Sequence, residues 1–96
     1  MMLTRIVKLT IATEKASEFE HFFKKNKHII QSFKGCNHVE LLKSKDQFFF
    51  TYSIWRNERF LEAYRHSKEF MKIWNKTKTF FSGKPEAWSL YQIENE

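Results

Sequence analysis

Apolar residues follow a period of two at the start of the chain and a helical period after it. Over residues 3–11 they mostly alternate with polar residues, which predicts a first β-strand. From residue 14 to about residue 32 they recur at i, i+3, i+4 and i+7, which predicts an amphipathic helix. Thr13 is the predicted N-cap of this helix and Gly35 its stop signal. The stripe of the helix consists of Phe19, Phe22, Phe23, Asn26, Ile29, Ile30 and Phe33.

Two further strands joined by a short turn are predicted next. Val39 and Leu41 alternate with their neighbours over residues 37–43, and aromatic and β-branched residues fill residues 48–55. The polar segment 44–47 is short enough to join the two strands as an antiparallel hairpin. Neither face of the later strand is polar, so both should be covered. One face carries Phe48, Phe50, Tyr52 and Ile54, and the other carries Phe49, Thr51, Ser53 and Trp55.

The region after the third strand has a helical period that is interrupted once. His66 and Ser67 form the interruption, and Ser67 is a predicted N-cap for a second helical piece. The segment 82–85, with its Gly and Pro, is predicted to close this helix. A fourth strand follows over residues 87–93, and residues 95–96 are predicted to be a frayed end.

The order of these elements is βαββαβ, the ferredoxin-like arrangement of the α+β class. Its four-stranded antiparallel sheet has helices on one face and leaves the other face bare. Here the bare face would present the aromatic set that contains Phe50, and an apolar patch of that size is rarely left in water. Packing two such sheets face to face would cover it, so the sequence predicts a homodimer.

Length and composition fit one intracellular domain. The 96 residues suffice for one core, over residues 1–96, and two Gly with one Pro argue against disorder. No apolar run approaches the roughly 18 residues that cross a membrane, and no signal-peptide pattern is present. We therefore expect a cytoplasmic protein that does not insert into membranes. The single cysteine, Cys36, leaves no partner for an internal disulfide.

The net charge of +6 raises the question of nucleic-acid binding. The basic residues are dispersed, however, and Lys68, Lys72 and Lys76 recur every four residues, as on the solvated face of a helix. We therefore expect no nucleic-acid partner. The sequence also has no His, Cys and carboxylate cluster at metal-ligand spacing, no phosphate-binding Gly-rich loop and no Ser-His-Asp pattern, so no metal site is predicted.

A family resemblance extends over nearly the whole chain. The segments that carry it are YSIW, NERFLEAYRHSKEF and KPEAWSLY. In them the sequence resembles the antibiotic biosynthesis monooxygenase (ABM) domain, through the pattern Trp55, Leu61, Tyr64, Ser67 and Phe70. The resemblance implies a dimeric α+β barrel of two ferredoxin-like subunits, with a pocket in each between sheet and helices. Some members of this family oxidise phenols or quinols with oxygen and without metal or flavin, some degrade haem, and many have no assigned activity.

The residues at the positions used by active members differ in part from the family pattern. The haem-degrading branch has an Asn in the first strand and a Trp and a His on the last helix, where this sequence has Val7, Tyr64 and Trp74. Val and Trp neither coordinate iron nor hydrogen-bond a ligand as Asn does, so we expect no haem degradation. The phenol-oxidising branch has an Asn four residues before the strand-end Trp. This sequence keeps Trp55 and has Thr51, whose hydroxyl can donate one hydrogen bond.

The candidate functional residues lie around the strand-end Trp and the helical pieces after it. The predicted pocket-lining residues are Val7, Trp55, Tyr64, Phe70 and Trp74, whose aromatic members either enclose a slot or interdigitate as core. The candidate catalytic residues are Thr51, Trp55, His66 and Arg5. His66 lies at the helix break, where it would either turn toward the pocket for acid–base work or remain a surface residue.

The residues leave two functions open. One is a cofactor-independent monooxygenase acting on a small electron-rich aromatic, a phenol or quinol. In that case the protein supplies a dry pocket and hydrogen bonds that stabilise the substrate anion. The other is a non-catalytic domain of the same fold that binds or senses a small aromatic or lipid-like ligand.

Overall fold

The computed structural model describes residues 2–93 and shows a four-stranded sheet with three helices. The elements in chain order are β1 (Leu3–Leu9), a 3₁₀ turn (Thr13–Lys15), α1 (Ala16–Gln31), β2 (Cys36–Lys43), β3 (Phe49–Trp55), α2 (Glu58–Arg65), α3 (Lys68–Lys78) and β4 (Glu86–Tyr91). The strand order across the sheet is β2-β3-β1-β4, and all neighbours are antiparallel. The predicted α+β fold is therefore confirmed. The predicted frayed end at residues 95–96 lies outside the described residues.

The core lies between the sheet and the helices in two clusters. One cluster, at the end of the sheet where β3 terminates, consists of Leu3, Phe23, Ile30, Val39, Trp55, Leu61 and Tyr64. The other, toward the opposite end, consists of Leu9, Ile11, Phe19, Phe49 and Phe80. All the strand residues in both clusters have odd numbers, because side chains along a strand alternate between its two faces. The helices therefore cover one face of the sheet.

The even-numbered face of the sheet carries an apolar patch that remains incompletely covered in the single chain. Ile6 of β1 is paired with Tyr52 on one side and with Trp88 on the other, so the three side chains share this face. Phe50 is only partly buried, and Trp88 is 43% exposed. This is the aromatic surface that the strand pattern predicts.

The helix break between α2 and α3 is confirmed at the predicted position. The Ser67 hydroxyl accepts a hydrogen bond from the Phe70 backbone N–H at 3.0 Å and donates one to the Tyr64 carbonyl at 2.6 Å. Asn57 caps α2 in the same way, through a hydrogen bond from the Phe60 backbone N–H. Short polar side chains satisfy backbone donors that a helix start leaves unpaired, which explains why α2 and α3 start where they do.

The segment between β1 and α1 differs from the prediction. The strand ends before Ile11, which forms an isolated bridge with Phe81. The Ala12 backbone N–H donates to the Phe80 carbonyl at 2.9 Å. Thr13 then begins a 3₁₀ turn, and its side chain makes no capping hydrogen bond. The predicted Thr13 N-cap is therefore wrong, because bonds to the segment after α3 fix the backbone before the helix begins.

The end of the last helix and the last strand also differ from the prediction. Gly83 was predicted to terminate α3, and this is wrong: the C-cap of the helix is Thr79. Gly83 lies three residues after the buried Phe80. The last strand spans Glu86–Tyr91, and Ile93 lies beyond it with 96% exposure. The other boundaries, of β2 and β3, shift from the prediction by one residue each.

Gly35 occupies a tight position after α1. Its φ is 87°, in the left-handed region that residues with a Cβ rarely adopt. A Cβ at this position would also collide with the Phe60 side chain. The Gly35 carbonyl accepts a hydrogen bond from the Arg56 backbone N–H at 2.8 Å, which ties the turn to the end of β3. Glycine is required here both for backbone conformation and for space.

Candidate functional site

A cavity of about 320 Å³ lies between the inner face of the sheet and the helices. Its floor is formed by Arg5, Val7, Leu9, Thr51, Ser53 and Trp55. All three helices contribute to its roof, and residues 85–87 form one side.

The position of the cavity follows from side-chain size along the central strands. At the ends of the sheet the inner face carries large side chains that fill the two core clusters. Between them the register pairs Val7 with Thr51, and Arg5 with Ser53. Small side chains at three of these four positions leave a gap under the helices, because they do not reach the roof. The cavity is therefore encoded by a stretch of small inward residues flanked by large ones.

The four predicted aromatic residues form one continuous wall of the cavity, which we call the aromatic wall (Trp55, Tyr64, Phe70 and Trp74). Trp55 stacks on Tyr64 with ring centroids 5.2 Å apart, and Phe70 stacks on Trp74 at 5.9 Å. Tyr64 and Phe70 meet edge to face at 5.1 Å. The side chains pack on one another and still border open space.

Some of the polar groups in the cavity are already paired. The Trp55 indole N–H donates to the Ser53 hydroxyl at 3.0 Å. The Asn26 side-chain NH2 donates to the Phe22 backbone carbonyl at 2.9 Å, and the Asn26 side-chain oxygen makes none of the hydrogen bonds between described residues. Two lining hydroxyls, those of Thr51 and Tyr64, take part in none of the hydrogen bonds between described residues. They are therefore the neutral donors that a ligand in the cavity would meet.

The protonation state of Tyr64 is fixed by its surroundings. Burial raises the pKa of its phenol well above the ordinary value, and the negative charge that Cys36 carries when deprotonated adds to the shift. Burial likewise raises the pKa of Cys36. Tyr64 is thus a neutral phenol at physiological pH, with a hydroxyl that can donate a hydrogen bond.

Charged groups collect at the rim of the cavity beside β4. Arg65 and Glu86 line the cavity and are exposed to solvent, so the cavity opens here. The Arg65 Nη1 lies 2.9 Å from Glu62 Oε2, and Glu86 Oε2 lies 3.9 Å from Lys8 Nζ. The Glu62 carboxylate is therefore paired beside the cavity, whereas the Glu86 carboxylate pairs with Lys8, its cross-strand partner on the even-numbered face of the sheet. Arg5, on the floor of the cavity, lies near enough for the charges of Arg65 and Glu62 to act on it.

Arg5 has a different environment from the rim charges. Its Nη1 donates to the Ser89 hydroxyl at 2.8 Å, and no described carboxylate forms an ion pair with it. Burial lowers the pKa of its guanidinium, as does the positive charge of Arg65, while Glu62 opposes them. The group stays charged at neutral pH, because its ordinary pKa is far above that range.

The structure brings together seven of the eight sequence-predicted site residues. Those that line the cavity are Arg5, Val7, Thr51, Trp55, Tyr64, Phe70 and Trp74. His66 does not line it: its side chain is 79% exposed, and its Nδ1 lies 2.8 Å from the Glu62 carbonyl of its own helix. The helix break turns His66 toward solvent, which is the surface alternative.

Several polar lining residues were not candidates from the sequence, among them Asn26, Ser53 and Arg65. Asn26 is the one polar member of the α1 stripe, and that interruption was the available signal. Ser53 lies between Thr51 and Trp55 on the inner strand face, so its inward position was also predictable. Arg65 falls at the end of α2, where the helical period gives no signal.

The described part of the chain has neither a cluster of metal-binding side chains nor a helix that could span a membrane. No group of three or more His, Cys, Asp and Glu side chains among residues 2–93 is placed to hold a metal ion. None of the helices within this range is long and apolar enough to cross a membrane.

Comparison with known proteins matches the chain to one family. The family model described as antibiotic biosynthesis monooxygenase matches residues 2–76, which include β1 to β3 and nearly all of the helical region. No curated protein sequence matches the chain.

Solved structures extend the likeness over β4. Rv0793 from Mycobacterium tuberculosis superposes with a TM-score of 0.88 at 12% identity, over 99% of this chain and 98% of that chain. A conserved protein from Methanosarcina mazei gives 0.87 at 16% identity, over 94% and 91%. SnoaB, a cofactor-independent oxygenase from Streptomyces nogalater, in mutant form, gives 0.85 at 14% identity, over 98% and 95%. At such identities the likeness shows a shared fold.

Proposed function

The chain belongs to the antibiotic biosynthesis monooxygenase family, and from this premise we propose that it is a cofactor-independent monooxygenase. Its substrate is a small electron-rich aromatic, a phenol or quinol, bound in the cavity between sheet and helices. The observation that supports this most is the cavity itself. It holds about 320 Å³, has an aromatic wall, and presents few hydrogen-bonding groups. SnoaB, of the same fold, is described as a cofactor-independent oxygenase.

The proposed reaction needs no electron donor other than the substrate. A phenol loses its hydroxyl proton, and the resulting anion is electron-rich enough to react with oxygen. One oxygen atom forms a new bond to a ring carbon and, with a phenol, becomes the second carbonyl of a quinone. With a quinol, whose own two oxygens become the carbonyls, it stays on the ring as a hydroxyl group, and the products are a hydroxyquinone and water. The other oxygen atom leaves as water with two hydrogens lost from the substrate. The four electrons that reduce oxygen all come from the phenol or quinol.

Residues of the cavity contribute orientation, exclusion of water and stabilisation of charge. The aromatic wall holds the flat ring, since aromatic pairs stack or meet edge to face in such walls. Thr51 and the neutral Tyr64 phenol donate hydrogen bonds to the substrate or oxygen atoms. Preformed donors in a site with little water stabilise a developing anion more than water does.

We expect the protein to consume oxygen with 1,4-naphthohydroquinone faster than the quinol autoxidises. Thr51→Val removes one hydroxyl and keeps the side-chain shape, so kcat/KM should fall roughly two- to tenfold, the cost of one neutral hydrogen bond. An oxygen electrode measures the rate, with protein-free quinol as the blank.

Thr13→Val is the matched control, because Thr13 is exposed in the turn before α1, makes no capping hydrogen bond and does not line the cavity. Its rate should equal that of the unchanged protein. Oxygen uptake no faster than autoxidation would refute the proposed function. Equal rates for the two variants would show that the Thr51 hydroxyl does not contribute to the oxidation.

A ligand-binding domain without catalysis is the second candidate, and one observation favours it. The described cavity-lining residues include no His, and their one carboxylate, Glu86, is exposed and paired with Lys8, its cross-strand partner on the even-numbered face. No base is therefore in place inside to take the phenol proton. Saturable quinol binding without oxygen uptake would support this candidate.

We also propose that the working form is a homodimer joined through the even-numbered faces of two sheets. Phe50 is part of that face, together with the exposed Trp88. Sedimentation at micromolar concentration should give about twice the mass of one chain. Phe50→Glu should shift the protein to monomer, because it places an unpaired charge in an apolar interface.

Lys45→Glu provides the control for Phe50→Glu. Lys45 is exposed in the turn between β2 and β3, so this change also adds negative charge but lies away from the proposed interface. It should leave the dimer intact. A monomeric unchanged protein would refute the proposed assembly.

A further inference from the structure

Arg5 is an inward-facing cation on the floor of an otherwise apolar cavity. Its two cross-strand neighbours on the sheet, Ser53 and Ser89, are neutral. A guanidinium has five N–H donors in a planar fork, and the one hydrogen bond described for its side chain is that from Nη1 to Ser89 Oγ at 2.8 Å. Partial burial of a charge costs free energy unless an opposite charge accompanies it. Inward-facing strand positions under helices are usually apolar. An arginine at such a position is stabilised when an anion binds to it.

Arg65 places a second guanidinium at the rim of this cavity. It comes from the end of α2 and lines the cavity together with Arg5. The two positive charges lie close enough for that of Arg65 to lower the pKa of Arg5. An anion bound between them would favour the charged form of both groups.

Glu62 is the carboxylate whose charge raises the pKa of Arg5, and it is shared with Arg65. Glu62 is paired with Arg65 through Nη1 at 2.9 Å, and Glu86 is paired with Lys8 at 3.9 Å. Lys8 and Glu86 are cross-strand partners on the even-numbered face, so beside the cavity two guanidinium groups share the one carboxylate of Glu62 and a net positive charge remains among these described groups. That charge is available to a ligand.

We propose that the cavity selects planar aromatic carboxylates, with the carboxylate bound by Arg5 and Arg65 at the rim and the ring held against the aromatic wall. This rests on the proposed function and narrows its substrate class to phenols or quinols that bear an acid group. A guanidinium and a carboxylate match in geometry, since two parallel N–H groups can donate to the two oxygens. Neutral quinols lack this contact.

The proposed pose also places the reacting ring. Val7 follows Arg5 by two residues on the same strand face, which is roughly 6–7 Å along the strand. Thr51 is the cross-strand partner of Val7. A carboxylate at Arg5 therefore places the attached ring beside the Thr51 hydroxyl.

Isothermal titration calorimetry with 2-naphthoate and 2-naphthamide tests the proposal, because the two probes differ mainly in charge. We expect 2-naphthoate to bind at least about tenfold more tightly, as for a charge-assisted hydrogen bond in a partly buried site. Arg5→Gln should remove this preference. Arg59→Gln, which removes the same charge from an exposed position of α2 outside the cavity, should retain it.

Equal binding of the two probes would overturn the proposal, as would no binding of 2-naphthoate or a preference that survives Arg5→Gln. If Arg5→Gln does not fold, the salt dependence decides: the preference of the unchanged protein must decrease as sodium chloride is raised. The preference for 2-naphthoate over 2-naphthamide is measured as binding alone, so it does not depend on any reaction with oxygen. A preserved preference with no quinol oxidation would therefore refute the proposed function and leave the carboxylate site standing.

Discussion

Replacing Trp55 with Ala is expected to lower the free energy of unfolding by about 3–5 kcal/mol. The side chain is 1% exposed and stacks on Tyr64 with centroids 5.2 Å apart. Its indole N–H also donates to the Ser53 hydroxyl at 3.0 Å, so truncation removes both packing and a buried hydrogen bond. The loss should appear as a lower urea midpoint followed by circular dichroism at one fixed protein concentration, because a dimer's stability depends on concentration.

Two variants bracket the Trp55 result. Trp55→Phe keeps a buried ring and loses the N–H, so it should cost less than Trp55→Ala. Met71→Ala, at a side chain that is 52% exposed on α3, should change stability by no more than about 0.5 kcal/mol. A Trp55→Ala loss as small as that of Met71→Ala would mean that Trp55 does not support the core.

Gly35→Ala is expected to destabilise the fold by about 2–4 kcal/mol, which combines left-handed strain with overpacking. The φ of 87° is unfavourable for alanine, and the added Cβ would collide with Phe60. The collision includes the Cβ of Phe60, so Phe60→Ala in the same protein should not restore stability. Chemical unfolding of the single and double variants measures both effects.

Gly83→Ala is the matched control for Gly35→Ala. Gly83 does not have a left-handed φ, and an added Cβ would approach the Thr10 side chain at 3.1 Å, which a small shift relieves. Its cost should stay within about 1 kcal/mol. Similar losses at Gly35 and Gly83 would show that neither strain nor the Phe60 contact limits the chain at Gly35.

The fold was predictable because local periods decide it. Alternation in the strands and the i, i+3, i+4 stripes in the helices give the order βαββαβ, and Ser67 gives the break between α2 and α3. Boundaries that depend on distant contacts were not predictable. Thr13 fails as a cap because Ile11 and Ala12 are bonded to the segment after α3, and no local pattern reports that.

The candidate site was predictable in its strand residues and less so in its helical ones. Strand alternation places Thr51 and Arg5 inward as soon as Trp55 is known to face the core. The direction of His66 depends on how the chain leaves α2, and the break turns it outward. Arg65 reaches the rim because α2 lies over the sheet beside β4, which requires the tertiary arrangement.

The strand order has a consequence for how the chain folds. β1 lies at the centre of the sheet, between β3 and β4, although it comes first in the chain. One of its neighbours, β3, is separated from it by α1 and β2 along the chain, and the other, β4, is the last of the four strands. Such pairings between distant segments require large loops to close, and they slow folding. Until β4 docks, β1 is an open edge with unpaired backbone groups, so the nascent sheet is then most prone to pair with another chain.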